Sequence, residues 1–128
     1  LIFDVEGEKG FRERETAMLK KLSARDGVLI ASGGGVVATE ANRKLLRESG
    51  LVVYLQTSVD QQLQRLKRDK SRPLLQTDDR REKLTRLAEE RNPLYEELAD
   101  IVFPAQNRAV NAVTASLHEA ICSYWNQI

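Results

Sequence analysis

Cysteine and histidine are scarce in this chain of 128 residues, and their scarcity excludes several kinds of site. The single cysteine, Cys122, cannot form an internal disulfide, and a free thiol suits the reducing cytoplasm, where we expect the protein to be located. The single histidine, His118, lies between apolar positions, and we expect it to be a partly exposed structural residue. One histidine and one cysteine supply neither a zinc-ligand spacing nor a Ser-His-Asp or Cys-His nucleophile set.

Long apolar runs are also lacking, and the formal net charge is only +1. No apolar run approaches the roughly 20 residues that a membrane-spanning helix needs, so we expect no membrane partner. Lysine and arginine total 20 against 19 aspartate and glutamate, which argues against a general nucleic-acid-binding protein. With 41% hydrophobic residues, the chain fits one globular domain over residues 1–128.

Apolar runs and helical patterns alternate along the chain. Three short apolar runs do not alternate polar with apolar residues, which predicts strands buried on both faces of a parallel sheet. The runs are Val28–Ala31, Leu51–Leu55 and Ile101–Phe103. Strands alternating with helices predict an α/β fold, with a three-layer α/β/α arrangement. Three strands are few for so many helices, so we expect the N-terminal strands upstream of Leu1 and take the chain to be a fragment of a longer protein.

Apolar residues at helical spacing predict six helical segments. Ser58 and Gln61 form a capping-box pattern at the start of the third. Pro93 is expected to begin a separate fifth segment, because proline suits the first turn of a helix. Thr39 and Gly50 are expected to cap the two ends of the second segment. The expected inward positions, segment by segment, are Phe11, Met18 and Leu22; Ala41, Leu45 and Leu46; Val59, Leu63 and Leu66; Leu84, Leu87 and Ala88; Leu94 and Leu98; and Val110, Val113, Leu117, Ile121 and Tyr124.

Three consecutive glycines, Gly33–Gly35, directly follow the first predicted strand. They cost backbone entropy and contribute no packing, so they need a structural or functional reason. In an open α/β sheet, ligands bind beyond the carboxyl ends of the strands, and glycines there let backbone N–H groups approach an anion. The alternative is a tight turn without a ligand.

Five basic side chains lie within the eight residues Arg65–Arg72, at the end of the third predicted helix. They lead into a long polar loop, Lys70–Asp79. The cluster is either a solvated basic face near a helix C-terminus or a mobile flap that brings guanidinium groups to phosphate oxygens.

Two further arginines are expected to face inward. Arg91 lies seven residues after Leu84, on the same predicted inner stripe, so its charge needs an anionic partner. It could pair with a nearby carboxylate, or its head could extend outward to solvent. Arg12 has the same interpretations, with Glu8 or Glu15 as a local partner.

Five motifs together resemble the shikimate kinase family. They occur in the family's order and approximate spacing, from Leu1 to about Arg108. The resemblance implies a P-loop kinase of the nucleoside-monophosphate-kinase type that transfers the γ-phosphate of ATP to the 3-hydroxyl of shikimate, with Mg²⁺ as cofactor, in aromatic amino acid biosynthesis. The motifs are Glu6-Gly7-Glu8, Gly10-Phe11-Arg12, Ser32-Gly33-Gly34-Gly35, Arg72-Pro73-Leu74-Leu75 and Glu90-Arg91-Asn92-Pro93-Leu94-Tyr95.

The resemblance also implies substrate-binding roles for individual residues. Arg12 and Arg91 would hold the shikimate carboxylate. Gly33, Gly34 and Gly35 would border the substrate, with Gly34 contacting a hydroxyl through its backbone.

Other residues would serve the nucleotide. Arg72 would be the arginine of a lid loop, at about residues 70–80, that reaches the ATP phosphates. Arg65 would be a second basic residue on that side, and Arg108 belongs to the loop that packs around adenine. Ser32 would help to hold the magnesium hydration shell.

The sequence departs from the family in one large respect. It contains no Gly-Lys dipeptide, so the P-loop pattern G-x-x-x-x-G-K-[ST] is absent, as is the family's Asp-x-Asp element. No catalytic base is therefore assigned in this chain, and we expect these 128 residues alone to be inactive. Two alternatives stay open: another small-molecule kinase, such as a gluconate kinase, or a non-catalytic remnant that binds a carboxylate ligand or a protein. The expected partners are shikimate and ATP, with the protein a monomer.

Overall fold

The computed structural model describes residues 2–68, 77–104 and 109–127. These residues form helices and a two-stranded parallel sheet, which confirms the predicted α/β character. None of the described helices combines the length and the apolar character that a membrane span requires. The elements are α1 (Ile2–Ser23), a 3-10 helix (Gly34–Ala38), α2 (Glu40–Ser49), β1 (Val53–Gln56), α3 (Val59–Arg68), α4 (Thr77–Leu98), β2 (Ile101–Pro104) and α5 (Val110–Trp125).

The two strands pair in parallel, with Val53 opposite Ile101. Parallel neighbours require a crossover connection, which here contains α3 and α4. Two hydrogen bonds between Asp100 and Val52 join the chain segments that lead into β2 and β1. The Asp100 N–H donates to the carbonyl of Val52 at 2.8 Å, and the Asp100 carboxylate accepts the Val52 N–H at 2.8 Å.

Two predictions about the sheet are wrong for the described residues. Val28–Ala31 is not a strand, and Leu29 is 89% exposed. A strand exists only by pairing, and no described segment hydrogen-bonds alongside this run as a strand. β1 and β2 are not buried on both faces either, since Leu55 is 49% and Val102 is 43% exposed. The described helices cover those side chains only in part.

The core lies around the 3-10 helix. Val36 and Val37 from this helix are buried with Leu19 of α1 and Leu98 of α4. Partly buried side chains from the surrounding segments pack against these four residues, namely Ile30, Leu45, Leu46, Val52, Leu94 and Tyr95. The core therefore joins α1, α2 and α4 around the glycine-rich segment.

The expected inner face of α1 is wrong by one residue. Met18 is 55% exposed, whereas Leu19 is 4% exposed. The inner face also carries the half-buried polar residues Arg12 and Glu15, so the apolar pattern alone did not mark it. Gly7, with φ of 75°, interrupts the helix near its start.

Later helices depart less from the prediction. Leu87 is 37% exposed and Val110 is 78% exposed, so neither is inward as expected. The expected break at Pro93 is also wrong, because α4 continues through it. A proline inside a helix forfeits one backbone hydrogen bond, and the packing of Leu94 and Leu98 against the core offsets this loss.

The capping box at the start of α3 is confirmed. The Ser58 N–H donates to Gln61 Oε1 at 3.0 Å, and the Gln61 N–H donates to Ser58 Oγ at 3.1 Å. Thr39 and Gly50 flank α2 as expected, although the Thr39 side chain makes no capping hydrogen bond. The end of the predicted loop, 77–79, lies in α4, and the rest of that loop, 70–76, lies outside the described residues.

Candidate functional site

Gly33–Gly35 lie at the N-terminal end of the 3-10 helix, and the residues that follow them in this helix are anchored in the core. Val36 and Val37 are buried in the core. Two side chains of α2 bind their carbonyls: Asn42 Nδ2 donates to Val36 O at 3.1 Å, and Arg43 Nη1 donates to Val37 O at 2.5 Å. The glycines directly precede this anchored segment, so the core helps to set their position.

Arg12 of α1 lies against Gly35. A Cβ atom on this glycine would be 2.5 Å from Arg12 Nη2, so a larger residue here would displace the guanidinium group from its present position. Arg12 Nη1 donates to Glu15 Oε1 at 2.9 Å, and its Cζ lies 5.2 Å from the centre of the Phe11 ring. The predicted local pairing with Glu15 is confirmed, and the guanidinium is held in place before any ligand binds.

Arg91 of α4 lies beside the neighbouring glycine. A Cβ atom on Gly34 would be 3.7 Å from Arg91 Nη1. Arg91 is half-buried, and within the described residues no side chain forms a hydrogen bond or ion pair with its guanidinium. A partly desolvated charge without a counter-charge is unfavourable, so this position favours an anionic ligand.

Tyr95, also on α4, binds the glycines directly. Its hydroxyl donates to the carbonyl of Gly34 at 2.6 Å. The ring lies 4.7 Å from that of Tyr54, at an interplanar angle of 31°, and the Tyr54 hydroxyl donates to Asn92 Oδ1 at 3.2 Å. Burial raises the pKa of Tyr54, and Coulombic repulsion from Tyr95 and Glu96 raises it further. Tyr54 therefore remains a neutral donor at physiological pH.

The structure brings Arg12, Gly34, Gly35 and Arg91 together, although 79 positions separate the two arginines. Ser32 precedes the glycines and is exposed, and Arg65 is exposed on α3. Two further predicted residues, Arg72 and Arg108, lie outside the described residues.

Three residues at this site were given no individual function in the sequence analysis: Tyr54, and Asn92 and Tyr95 of the Arg91 motif. A signal for Tyr95 was present, because residues four apart share one face of a helix and Tyr95 follows Arg91 by four. Tyr54 gave no signal, since its position depends on where β1 packs relative to α4.

The described residues do not by themselves fit a magnesium site. No three histidine, cysteine, aspartate or glutamate side chains among them converge on one point. Besides the Tyr95 hydroxyl, which binds the Gly34 carbonyl, Ser32 offers a hydroxyl directly before the glycines. His118 is exposed, with Nε2 3.6 Å from Sγ of Cys122, and lies on α5 rather than with the glycines.

Comparison with known proteins gives one family. A family model described as shikimate kinase matches residues 1–122. The shikimate kinase of Vibrio parahaemolyticus is 53% identical over 112 residues, covering 88% of this chain and 65% of that protein. The shikimate kinase of Halorhodospira halophila is 51% identical over 120 residues, covering 94% and 68%. The chain thus spans less than two thirds of the length of the Vibrio relative.

Solved structures agree with this result. The structure of shikimate kinase from Acinetobacter baumannii in complex with shikimate matches with a TM-score of 0.84 and 43% identity, over 95% of this chain and 68% of that one. Shikimate kinase from Bacteroides thetaiotaomicron matches with a TM-score of 0.81 and 29% identity, over 94% and 72%. This likeness confirms the predicted α/β fold of the P-loop kinase type.

Proposed function

Since the chain belongs to the shikimate kinase family, we propose that the full-length protein transfers the γ-phosphate of ATP to the 3-hydroxyl of shikimate. One observation carries the substrate assignment: Arg12 and Arg91, from two different helices, lie against adjacent glycines. Two guanidinium groups from different directions can hold a planar carboxylate in one orientation, because each makes directional, charge-assisted hydrogen bonds.

The two arginines contribute differently to this clamp. Glu15 and the Phe11 ring hold Arg12 in place, so it loses little side-chain freedom on binding. Arg91 has no such partner among the described residues, so the ligand would supply its counter-charge. A Cβ at Gly33 would meet nothing within 4 Å, so the substrate ring has room to approach the backbone at this glycine.

The nucleotide side of the proposal rests on family membership. Arg65, Arg72 and Arg108 are proposed to neutralise or surround ATP, with Arg72 on a lid at about residues 70–80. Magnesium bound to ATP, with Ser32 near its hydration shell, stays a prediction. No step is assigned to the ion, because no group of side chains among the described residues could hold a metal ion. A monomer in the cytoplasm likewise stays a prediction.

The test measures ADP release by the full-length protein with shikimate and ATP. We expect shikimate-dependent turnover. Arg91→Lys should raise the KM for shikimate about 10- to 100-fold, because an ammonium group cannot make the bidentate contact. The KM for ATP should stay within about twofold of the wild-type value, because the carboxylate clamp does not touch the nucleotide.

Arg86→Lys is the matched control for that variant. Arg86 lies on the same helix, and its exposed guanidinium pairs with Glu82 at 3.3 Å, so the control should leave both KM values unchanged. Equal losses for both ligands in Arg91→Lys would remove the clamp assignment. Turnover of gluconate in place of shikimate would favour the other kinase, and binding of shikimate without turnover would favour a non-catalytic protein.

A further inference from the structure

We propose that Tyr95 is a positioning residue for shikimate, because its hydroxyl fixes the peptide between Gly34 and Gly35 in the orientation that the substrate meets. The inference rests on the proposed function, which places shikimate at these glycines. Tyr95 need not contact the substrate itself. It acts through the backbone that it binds.

The hydrogen bond from Tyr95 to the Gly34 carbonyl controls more than one backbone group. At 2.6 Å it is short for a hydroxyl donor. The carbonyl and the following N–H of a planar trans peptide point in opposite directions. Holding the Gly34 carbonyl toward Tyr95 therefore aims the Gly35 N–H away from the Tyr95 hydroxyl.

Glycine makes this control necessary. A peptide flanked by two glycines has few steric restraints of its own, so its orientation depends on the 3-10 helix that contains it and on the hydrogen bond from Tyr95. The residues after the pair are anchored by the core, but Gly33 and Gly34 are exposed. The hydroxyl of Tyr95 supplies the restraint that side chains at these positions would otherwise give.

Tyr95 is itself held from two sides. Its ring packs on Tyr54, whose hydroxyl binds Asn92 one turn earlier on α4. Because Arg91 and Tyr95 are four residues apart, one face of α4 presents both the Arg91 guanidinium and the donor to Gly34. A single helix thus sets the relative position of two groups that shikimate would meet.

The experiment compares Tyr95→Phe with wild type in the full-length protein. Phenylalanine keeps the ring against Tyr54 and removes only the hydrogen bond. We expect amide hydrogen exchange at residues 33–37 of the ligand-free protein to become about three- to tenfold faster, and the KM for shikimate to rise by a similar factor, the size expected for loss of one neutral hydrogen bond. The kcat and the KM for ATP should change less than about twofold, because the nucleotide does not meet this peptide.

Tyr124→Phe is the matched control. Its hydroxyl lies 3.4 Å from Asp100 Oδ1, away from the glycines, so the same chemical change there should leave the exchange at residues 33–37 and the KM for shikimate unaltered. Tyr54→Phe should give an intermediate effect, because it loosens the support of Tyr95 without removing the hydrogen bond.

Three outcomes would overturn the inference. Unchanged exchange at residues 33–37 in Tyr95→Phe would show that the hydrogen bond does not hold the peptide. Faster exchange with an unchanged KM for shikimate would show that the peptide's orientation does not matter for binding. A parallel loss in kcat and in both KM values would indicate a general structural role. If wild type itself fails to turn over shikimate, the proposed function fails, and the exchange experiment still decides whether Tyr95 holds the glycines.

Discussion

The glycine segment and the parallel sheet differ in how completely the described chain packs them. Around the glycines, Val37 is 2% and Leu98 is 6% exposed, and side chains from two helices, α2 and α4, hydrogen-bond to the backbone. In the sheet, Leu55 is 49% and Val102 is 43% exposed, and α5 buries none of its residues. The difference teaches that the candidate substrate site is positioned by contacts within these residues, whereas the sheet is only partly covered by them.

Tyr54 connects the two regions. It belongs to β1, yet its ring packs on Tyr95 and its hydroxyl binds Asn92 on α4. The sheet thus supports the site through one aromatic contact, even though its apolar surface is incompletely buried. The four predictions below test three properties. They ask whether the 128 residues suffice for catalysis, how closely the side chains pack around the glycines and in the core, and what burial of Tyr54 contributes to stability.

The largest expected effect concerns sufficiency. The 128-residue chain expressed alone should show no measurable shikimate phosphorylation, at least about 10⁴-fold below the full-length protein, because phosphoryl transfer depends on positioned phosphate-binding groups and single such groups contribute about 10²–10³ each. Coupled assays of ADP release on both proteins measure this difference. Comparable turnover would mean that these residues hold a complete catalytic site.

The next effect concerns the close approach of Arg12 to the glycines. Gly35→Ala should raise the KM for shikimate about 10- to 100-fold, because the new Cβ would lie 2.5 Å from Arg12 Nη2 and would displace the guanidinium. Steady-state kinetics of the full-length variant measure it.

Gly50→Ala, at the end of α2 and outside the candidate site, is the matched control for that change. A Cβ at Gly50 meets nothing within 4 Å, and its φ of 168° is extended backbone that alanine adopts. If both alanine variants behave alike, the packing of Arg12 against Gly35 is not what restricts the site.

A smaller effect concerns the core beneath the site. Leu98→Ala should lower the free energy of unfolding of the full-length protein by about 2–4 kcal/mol, because the side chain is 6% exposed and its removal leaves a cavity. Leu87→Ala, a matched change on the same helix at a 37% exposed position, should cost less than about 1 kcal/mol. Urea unfolding curves of both variants measure the difference, and equal losses would contradict the packing contrast along α4.

The smallest effect is a pH dependence at Tyr54. Its pKa is raised above the ordinary value of 10.0, chiefly by burial, so the folded state favours the neutral hydroxyl. The stabilisation is fully present below that ordinary value and is lost as the pH rises through the raised pKa. Urea unfolding across this alkaline range should therefore show the stability of wild type falling relative to Tyr54→Phe. A constant difference between the two proteins would show that burial of this hydroxyl does not affect folding.

The sequence predicted the residues of the candidate site better than it predicted the strands of the sheet. Arg91 and Arg12 could be identified because a charge on an inner helical face needs a partner, and the glycine triplet because it has no packing value. Their meeting depends on α1 and α4 lying on either side of the 3-10 helix, which no local pattern shows. The resemblance to a family supplied that juxtaposition in advance.

Failures of the sequence analysis have identifiable physical causes. Met18 was expected inside because apolar spacing takes no account of an inner face that carries the ion pair of Arg12 and Glu15. The break expected at Pro93 followed local propensity, which the packing of α4 against the core overrides. The strand expected at Val28–Ala31 depends on a neighbour, and pairing cannot be inferred from the run itself.

The bond between Tyr95 and Gly34 also has a consequence for the order of folding. It joins residues 61 positions apart, whereas Asn42 reaches Val36 across only six. Closing a longer segment costs more chain entropy and is slower, so contacts of short range form first. The 3-10 helix can therefore be anchored by α2 as soon as both are synthesised. Its glycines are held by Tyr95 only after α4 has been synthesised and has packed against them. The substrate site is therefore completed late. A ribosome-bound chain that ends before residue 95 would contain the glycine segment without the hydrogen bond from Tyr95.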